Sequence, residues 1–384
     1  MFKYWLGNDL LIEFILDVGN YAFFCSVFLY FYKKKLISKS FLLILCLFLL
    51  TPFLFNNSLF PWTMNPDQVR YLGMANQFRE NISLDPLFNM TNQTGLKVII
   101  PGYIFAFSPM LNVETFKSIG FLNRFFLLGS IAFFLKKKKI SPTIFFIILL
   151  SPSLTYFSSI SLRDVLILIL MLWSVYYYLE GKKVLFLLFC LLVAATKPQN
   201  LIIIIFFIYL NEFFESKNKK MFSLISILII VPIIIFMGQD VIDKVNQIRL
   251  GLFAEAYGSY RGISSENTYT AINLNWELLV VTTKSFFLFL LAPLLSMTSM
   301  MKVFIVIECF VLYYIFLKGL ILSRSKKHFR VAIIWLIVLL FSFLMYGVVL
   351  FNDGTIHRYR LVLIYFVLIG YSLHKSVFLK KKYE

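Results

Sequence analysis

FLNRFFLLGSIAFFLKKKKISPTIFFIILLSPSLTYFS, residues 121–158, sets two apolar runs on either side of four consecutive lysines. Runs of this length cross hydrocarbon as helices, and a basic cluster between them marks ends that stay in the cytoplasm. Further clusters at 33–35, 217–220, 324–330 and 380–382 punctuate other stretches of Phe, Leu, Ile and Tyr in the same way. The chain reads as all-α, a single polytopic membrane domain.

Placing every lysine-rich loop on the cytoplasmic side predicts spans near 10–32, 41–57, 118–135, 142–158, 162–180, 183–196, 201–214, 222–238, 303–321, 331–350 and 361–375. That is about eleven helices (10–12), with the N-terminus outside and the C-terminus inside. Two further apolar segments spoil this parity if counted. They are 98–113, with Pro101 and Pro109, and 280–297, with Pro293. Both read as proline-broken re-entrant or interfacial helices on the outer side, where protein or water satisfies their backbone. No internal repeat is visible in the residues.

Of 384 residues, 60% are hydrophobic and 15% charged; a soluble globule of that composition could not cover itself with polar surface. A net charge of +18 would suggest nucleic acid in a soluble domain. Here the basic residues sit in short loops, where they set orientation and meet anionic headgroups, so membrane lipids are expected partners and nucleic acid is not. Cys25, Cys46, Cys190 and Cys309 lie in apolar stretches without C-x-x-C spacing, which argues against both a metal site and a disulfide framework. The first twenty residues lack a basic n-region and are interrupted by Asp9, Glu13 and Asp17, so no cleaved leader is expected.

Polar content collects in the outer loops 58–117, 239–302 and 351–360, while the basic loops are too short for a nucleotide site such as a P-loop. In the first outer loop a helix starting after Pro66 would put Asp67, Arg70 and Tyr71 on one face. Asp67 is then a general base for a sugar hydroxyl or, more plainly, a helix cap. Asp85 before Pro86 is a second candidate for the base, with a turn residue as the alternative. Arg163 and Asp164 stand together where an apolar helix begins, and ionised groups at that depth are costly and usually functional. The planar fork of Arg163 suits a phosphate, with Asp164 fixing it; a snorkelling arginine and a capping aspartate are the alternative. Lys197 and Pro198, between two short apolar runs, point to a wet cavity.

His357, Arg358 and Arg360 crowd a loop on the side that positive charge normally avoids, which argues for an anionic ligand; Tyr359 between the arginines suits a sugar phosphate. A headgroup anchor is the alternative. In the large loop Arg249, Glu255, Tyr257, Tyr260, Arg261 and Glu266 mix charge with aromatics as a carbohydrate-facing surface would, and Lys284 is a further candidate. N-x-S/T triplets at Asn81, Asn89 and Asn92 fall outside as well.

Taken together, the Asp- and Tyr-bearing stretch 65–75, SPSLTYFSSISLRD at 151–164, KPQ at 197–199 and RYRL at 358–361 resemble bacterial Wzy-type polymerases of O-antigen or capsular polysaccharide. The pattern overlaps that of GT-C membrane glycosyltransferases. The resemblance implies transfer of a growing glycan from undecaprenyl pyrophosphate onto a new lipid-linked repeat unit at the periplasmic face of the inner membrane. It implies no metal, nucleotide or other cofactor, and a chain-length regulator as a partner. Asp67, Arg163 and Asp164 would then be catalytic, and Arg70, Tyr71, Lys197, Arg261, His357, Arg358, Tyr359 and Arg360 substrate-binding. A GT-C transferase using polyprenyl phosphate sugars is a second reading, although 65–67 reads Asn-Pro-Asp and not two adjacent carboxylates. A flippase for lipid-linked oligosaccharide is a third, but it would place functional charge on both sides.

Overall fold

The computed structural model describes residues 10–56, 59, 67–80, 96–216, 218, 238–251, 271–273, 276–295, 300–321, 326–349 and 353–380. Among these, every regular element is an α-helix. By length and apolar composition, four helical segments suffice to cross a membrane: Leu11–Lys33, Ser118–Lys136, His328–Val349 and Ile356–Val377. A bent pair, Pro142–Leu150 with Pro152–Ser159, adds a fifth if it counts as one span. Most of the span expected at 222–238 lies outside the described residues.

The chain packs as two units, Met1–Leu201 with Ile369–Glu384, and Ile202–Leu368. The first holds α1 (Leu10–Lys33), α2 (Lys39–Leu49), α3 (Thr51–Phe55), α4 (Asp67–Glu80), α5 (Leu96–Phe107), α6 (Ser118–Lys136), α7 (Pro142–Leu150), α8 (Pro152–Ser159), α9 (Asp164–Leu179) and α10 (Lys183–Thr196). The boundary falls inside α11 (Pro198–Glu215) and α16 (Asp353–Lys380). The second unit also holds α12 (238–251), α13 (Trp276–Leu295), α14 (Met300–Ile321) and α15 (Lys326–Val349).

A local repeat does exist, contrary to the expectation from sequence. Phe31 and Lys33–Lys35, with Ile37 and Ser38, correspond to Phe134 and Lys136–Lys138, with Ile140 and Ser141. At both sites the helix ends with its third lysine in the left-handed region, Lys35 and Lys138 each at φ 55°. The closing hydrogen bonds match as well. Lys35 N donates to Tyr32 O at 2.8 Å and Leu36 N to Phe31 O at 2.8 Å; Lys138 N donates to Leu135 O at 2.9 Å and Lys139 N to Phe134 O at 2.8 Å. This is the paired closure that satisfies the last carbonyls of a helix. Ser38 and Ser141 then cap the following helices, accepting from Phe41 N and Ile144 N at 3.3 Å each.

Both following helices break before a proline, at Thr51-Pro52 and at Ser151-Pro152, and α7 and α8 diverge by 65°. Arg124, fully buried in α6, reaches both segments: its Nε donates at 3.1 Å to Phe48 O, the carbonyl that Pro52 cannot pair, and a terminal nitrogen donates to Ser158 Oγ at 2.9 Å. Ser159 Oγ donates to Thr51 Oγ1 at 2.7 Å, joining the two breaks. Gly120 lets α6 approach closely, since a Cβ there would lie 2.2 Å from Ser159 O.

Prolines 101 and 293 do not break their helices. α5 continues through Pro101 to Phe107, and α13 runs past Pro293 to Leu295. α5 pairs with α4 through Phe78 and Tyr103, whose rings stack at 3.9 Å. Arg79 then closes the end of α5 by donating to Ala106 O at 2.9 Å, Ser108 O at 3.2 Å and Met110 O at 2.7 Å. Burial pulls the Arg79 pKa below its ordinary value, opposed by Glu114. Polar groups in α1 also clamp the following segment: Asn20 Nδ2 donates to Asn112 O at 3.1 Å, Thr115 Oγ1 donates to Asp17, and Lys117 pairs with Asp17 at 3.4 Å.

In the second unit Trp335 stacks on Phe207 at 4.6 Å and meets Phe366 at 5.4 Å. The outer loop expected at 351–360 is helical from Asp353 onward, because α16 continues upstream of its apolar part.

Candidate functional site

In the first unit the stretch 158–164 is held by side chains from three directions. Asn123 Nδ2 donates to Ile160 O at 3.1 Å and to Leu162 O at 2.6 Å. Gln68 Oε1 accepts from Ser161 N at 3.0 Å, and Ser161 Oγ donates to Phe116 O. Gln68 and Ser161 are both buried, so these bonds replace water for groups that would otherwise go unpaired. The result is a fixed turn that delivers Arg163 to the start of α9.

The Arg163 guanidinium lies over the Tyr71 ring, 5.7 Å from its centroid, and donates to Thr196 O at 3.3 Å. The next residue, Lys197, is buried between α10 and α11, with Asn200 Nδ2 donating to Met171 Sδ at 3.1 Å one turn further on. Arg163, Tyr71 and the Thr196-Lys197 junction therefore meet, as do the ends of α4, α9 and α10. Asp164 is buried at the first position of α9, where the helix macrodipole favours a carboxylate.

Asp67, half-buried, stands one turn before Tyr71 on α4. The buried face of α4 runs through Gln68, Tyr71, Leu72, Ala75 and Phe78, and Arg70 is exposed. The helix expected after Pro66 forms, with Asp67, Arg70 and Tyr71 at i, i+3 and i+4 along it, and of the three only Tyr71 is buried. Gln68 and Arg124, which hold the site in shape, carried no sequence signal beyond being polar residues at helix spacing from apolar ones.

The basic triplet of the second unit divides in two. Arg360 is fully buried and donates to Phe289 O at 3.2 Å and towards His357 Nδ1 at 2.8 Å. Because a guanidinium only donates, Nδ1 must accept, which places the neutral imidazole's proton on Nε2. Tyr365 OH donates to Glu308 at 2.7 Å within the same helix packing. Arg358, half-buried, instead lies over Tyr359 at 5.3 Å, and Tyr359 meets Tyr346 at 5.3 Å. Arg358 and Tyr359 thus form the arginine-aromatic pairing, and Arg360 faces inward.

Arg249 donates to Val348 O at 2.5 Å, and Lys284 is exposed. Asp85, Arg261, Glu255, Tyr257, Tyr260, Glu266 and the three N-x-S/T triplets lie outside the described residues. Among the described residues no three His, Cys, Asp or Glu side chains stand together as a metal set. No family model, curated protein or solved structure matches this chain.

Proposed function

We propose that the protein polymerises undecaprenyl-pyrophosphate-linked oligosaccharide repeat units into O-antigen or capsular polysaccharide on the periplasmic face of the bacterial inner membrane. In this reading the shorter apolar helices join the long ones in a bundle of about eleven spans. The observation that carries it is the placement of Arg163. A cation at a helix N-terminus opposes the macrodipole, and no side-chain cap bond is gained there. The Arg163 guanidinium lies over Tyr71 beside the Thr196-Lys197 junction, and in this reading it receives the anionic pyrophosphate there.

In the reaction an acceptor sugar hydroxyl attacks the anomeric carbon of the donor glycan, and the bond from that carbon to the pyrophosphate oxygen breaks. Arg163 and Lys197 stabilise the charge on the departing pyrophosphate. Asp67 takes the hydroxyl proton as the new glycosidic bond forms. Tyr71 holds the guanidinium from below and offers its remaining ring edge to a sugar. Arg358 on Tyr359 provides a second arginine-aromatic pair suited to a sugar phosphate.

The test is the banding pattern of lipopolysaccharide or capsule on a gel after deletion of the gene and its restoration on a plasmid. Deletion should collapse the ladder to core plus a single repeat unit, and Arg163→Ala should fail to restore it while still reaching the membrane. Loss of even the first unit on deletion would favour a transferase or a flippase, and a full ladder from Arg163→Ala would remove Arg163 from the site.

A further inference from the structure

At the other end of the first unit, the two lysine turns of the repeat come together: Lys136 Nζ donates to Lys35 O at 3.1 Å. Beside them an apolar groove of about 680 Å³ runs between α1, α2, α6, α9 and α10. Phe28, Leu45, Phe125, Leu166 and Phe189 line its length, and Lys136 and Lys137 stand at its end. The polar atoms in the lining are already engaged, since Trp173 Nε1 donates to Ser130 Oγ at 3.0 Å. The interior offers only hydrocarbon. The mouth offers cations, because Lys33–Lys35, Lys136–Lys138, Lys182 and Lys183 are exposed. Among the described residues of this cluster, Lys139 alone pairs with a carboxylate, Glu180 at 2.5 Å.

An apolar channel ending in unneutralised lysines is complementary to one class of molecule, an acyl chain that carries a negative headgroup. Lys137 also lies over Phe133, 5.9 Å from the ring centroid, which holds its ammonium at the mouth. We propose that this groove is a binding site for an anionic phospholipid, with one acyl chain along Phe28 and Phe125 and the phosphate on Lys136 and Lys137. The site lies at the opposite end of α6 from the Asn123 contact with the Arg163 turn, so it is separate from the proposed transfer chemistry and does not rest on it.

Gly129 supplies the test, because it lines the groove and a Cβ there meets nothing within 4 Å. Gly129→Leu should fill the channel without disturbing the helix. The full-length protein is delipidated in detergent and titrated with phosphatidylglycerol or with phosphatidylcholine of the same chains, and the unfolding temperature is read. Phosphatidylglycerol should raise it by several degrees and phosphatidylcholine by clearly less. Gly129→Leu should lose the increment while unfolding at the wild-type temperature without lipid, and Lys136→Gln with Lys137→Gln should bring the two lipids level. Equal responses of the wild-type protein to both lipids, or a full response from Gly129→Leu, would overturn the proposal. Native mass spectrometry of the wild-type protein gives a reading that needs no variant. A retained adduct of phosphatidylglycerol mass supports the site; bare protein, a polyprenyl phosphate adduct, or a dimer abolished by filling the groove refutes it.

Discussion

A backbone N–H buried at the foot of a helix needs an acceptor, and for Ser161 that acceptor is the Gln68 side chain. Replacing Gln68 with Met keeps the volume and removes the oxygen, leaving the N–H desolvated and unpaired at a cost of about 1–3 kcal/mol. Thermal unfolding in detergent should show that loss for Gln68→Met. If the proposed function holds, the polymer ladder should shorten too, since the freed turn no longer aims Arg163 at Tyr71. An unchanged unfolding temperature would mean that Ser161 N finds another partner. Charge made Arg163, Asp164 and Lys197 legible in the sequence, because a charge inside an apolar run stands out. Gln68 was not legible, since its role depends on which turn of a distant segment it meets. The fate of Arg358 and Arg360 was equally hidden: residues two apart on a helix point about 200° apart, and only the packing of α16 decides which one is buried.

At the scale of the element, the lysine turns do two things that glycine usually divides. Left-handed backbone costs an L-residue roughly 1–2 kcal/mol, yet both turns place lysine there and not the glycine used at Gly181, where φ is 71°. Lys138→Gly should therefore be neutral or stabilising, by about 0.5 kcal/mol once glycine's larger unfolded-state entropy is counted. A drop of more than that in unfolding free energy would show that the Lys138 side chain makes a contact of its own. Gly120 predicts the opposite sign. A methyl group 2.2 Å from Ser159 O cannot be accommodated without moving α8, so Gly120→Ala should destabilise by about 1–3 kcal/mol, as overpacking does. A wild-type unfolding temperature for Gly120→Ala would mean that α6 and α8 do not approach as described. The repeat linking these turns escaped the sequence reading because few identities mark it, and its substance is backbone conformation. The prolines misled for a related reason: Pro101 and Pro293 resemble the helix break at Pro152, but no residue next to them offers a cap like Ser151, whose Oγ accepts from Leu154 N at 3.0 Å.

At the scale of the molecule, α6 measures the distance between the two ends of the first unit. Its 19 residues at about 1.5 Å each span about 28 Å, close to the thickness of the hydrocarbon core. One end meets the turn that carries Arg163, through Asn123, and the other ends in Lys136 beside Lys35. The alternation of lysine turns with apolar helices was legible from composition alone, because solvation of charge admits only one solution for such a chain. On the proposed function, the lysine-rich end should lie in the cytoplasm and the Arg163 end outside. In a cysteine-free background, Lys138→Cys should be protected from a membrane-impermeant maleimide in intact cells and labelled after lysis. Arg70→Cys, on the exposed side of α4, should be labelled in intact cells once the outer membrane, where one is present, has been made permeable. Labelling in the reverse order would turn the Arg163 end toward the cytoplasm, and a polymer assembled outside the cell could not then be made there.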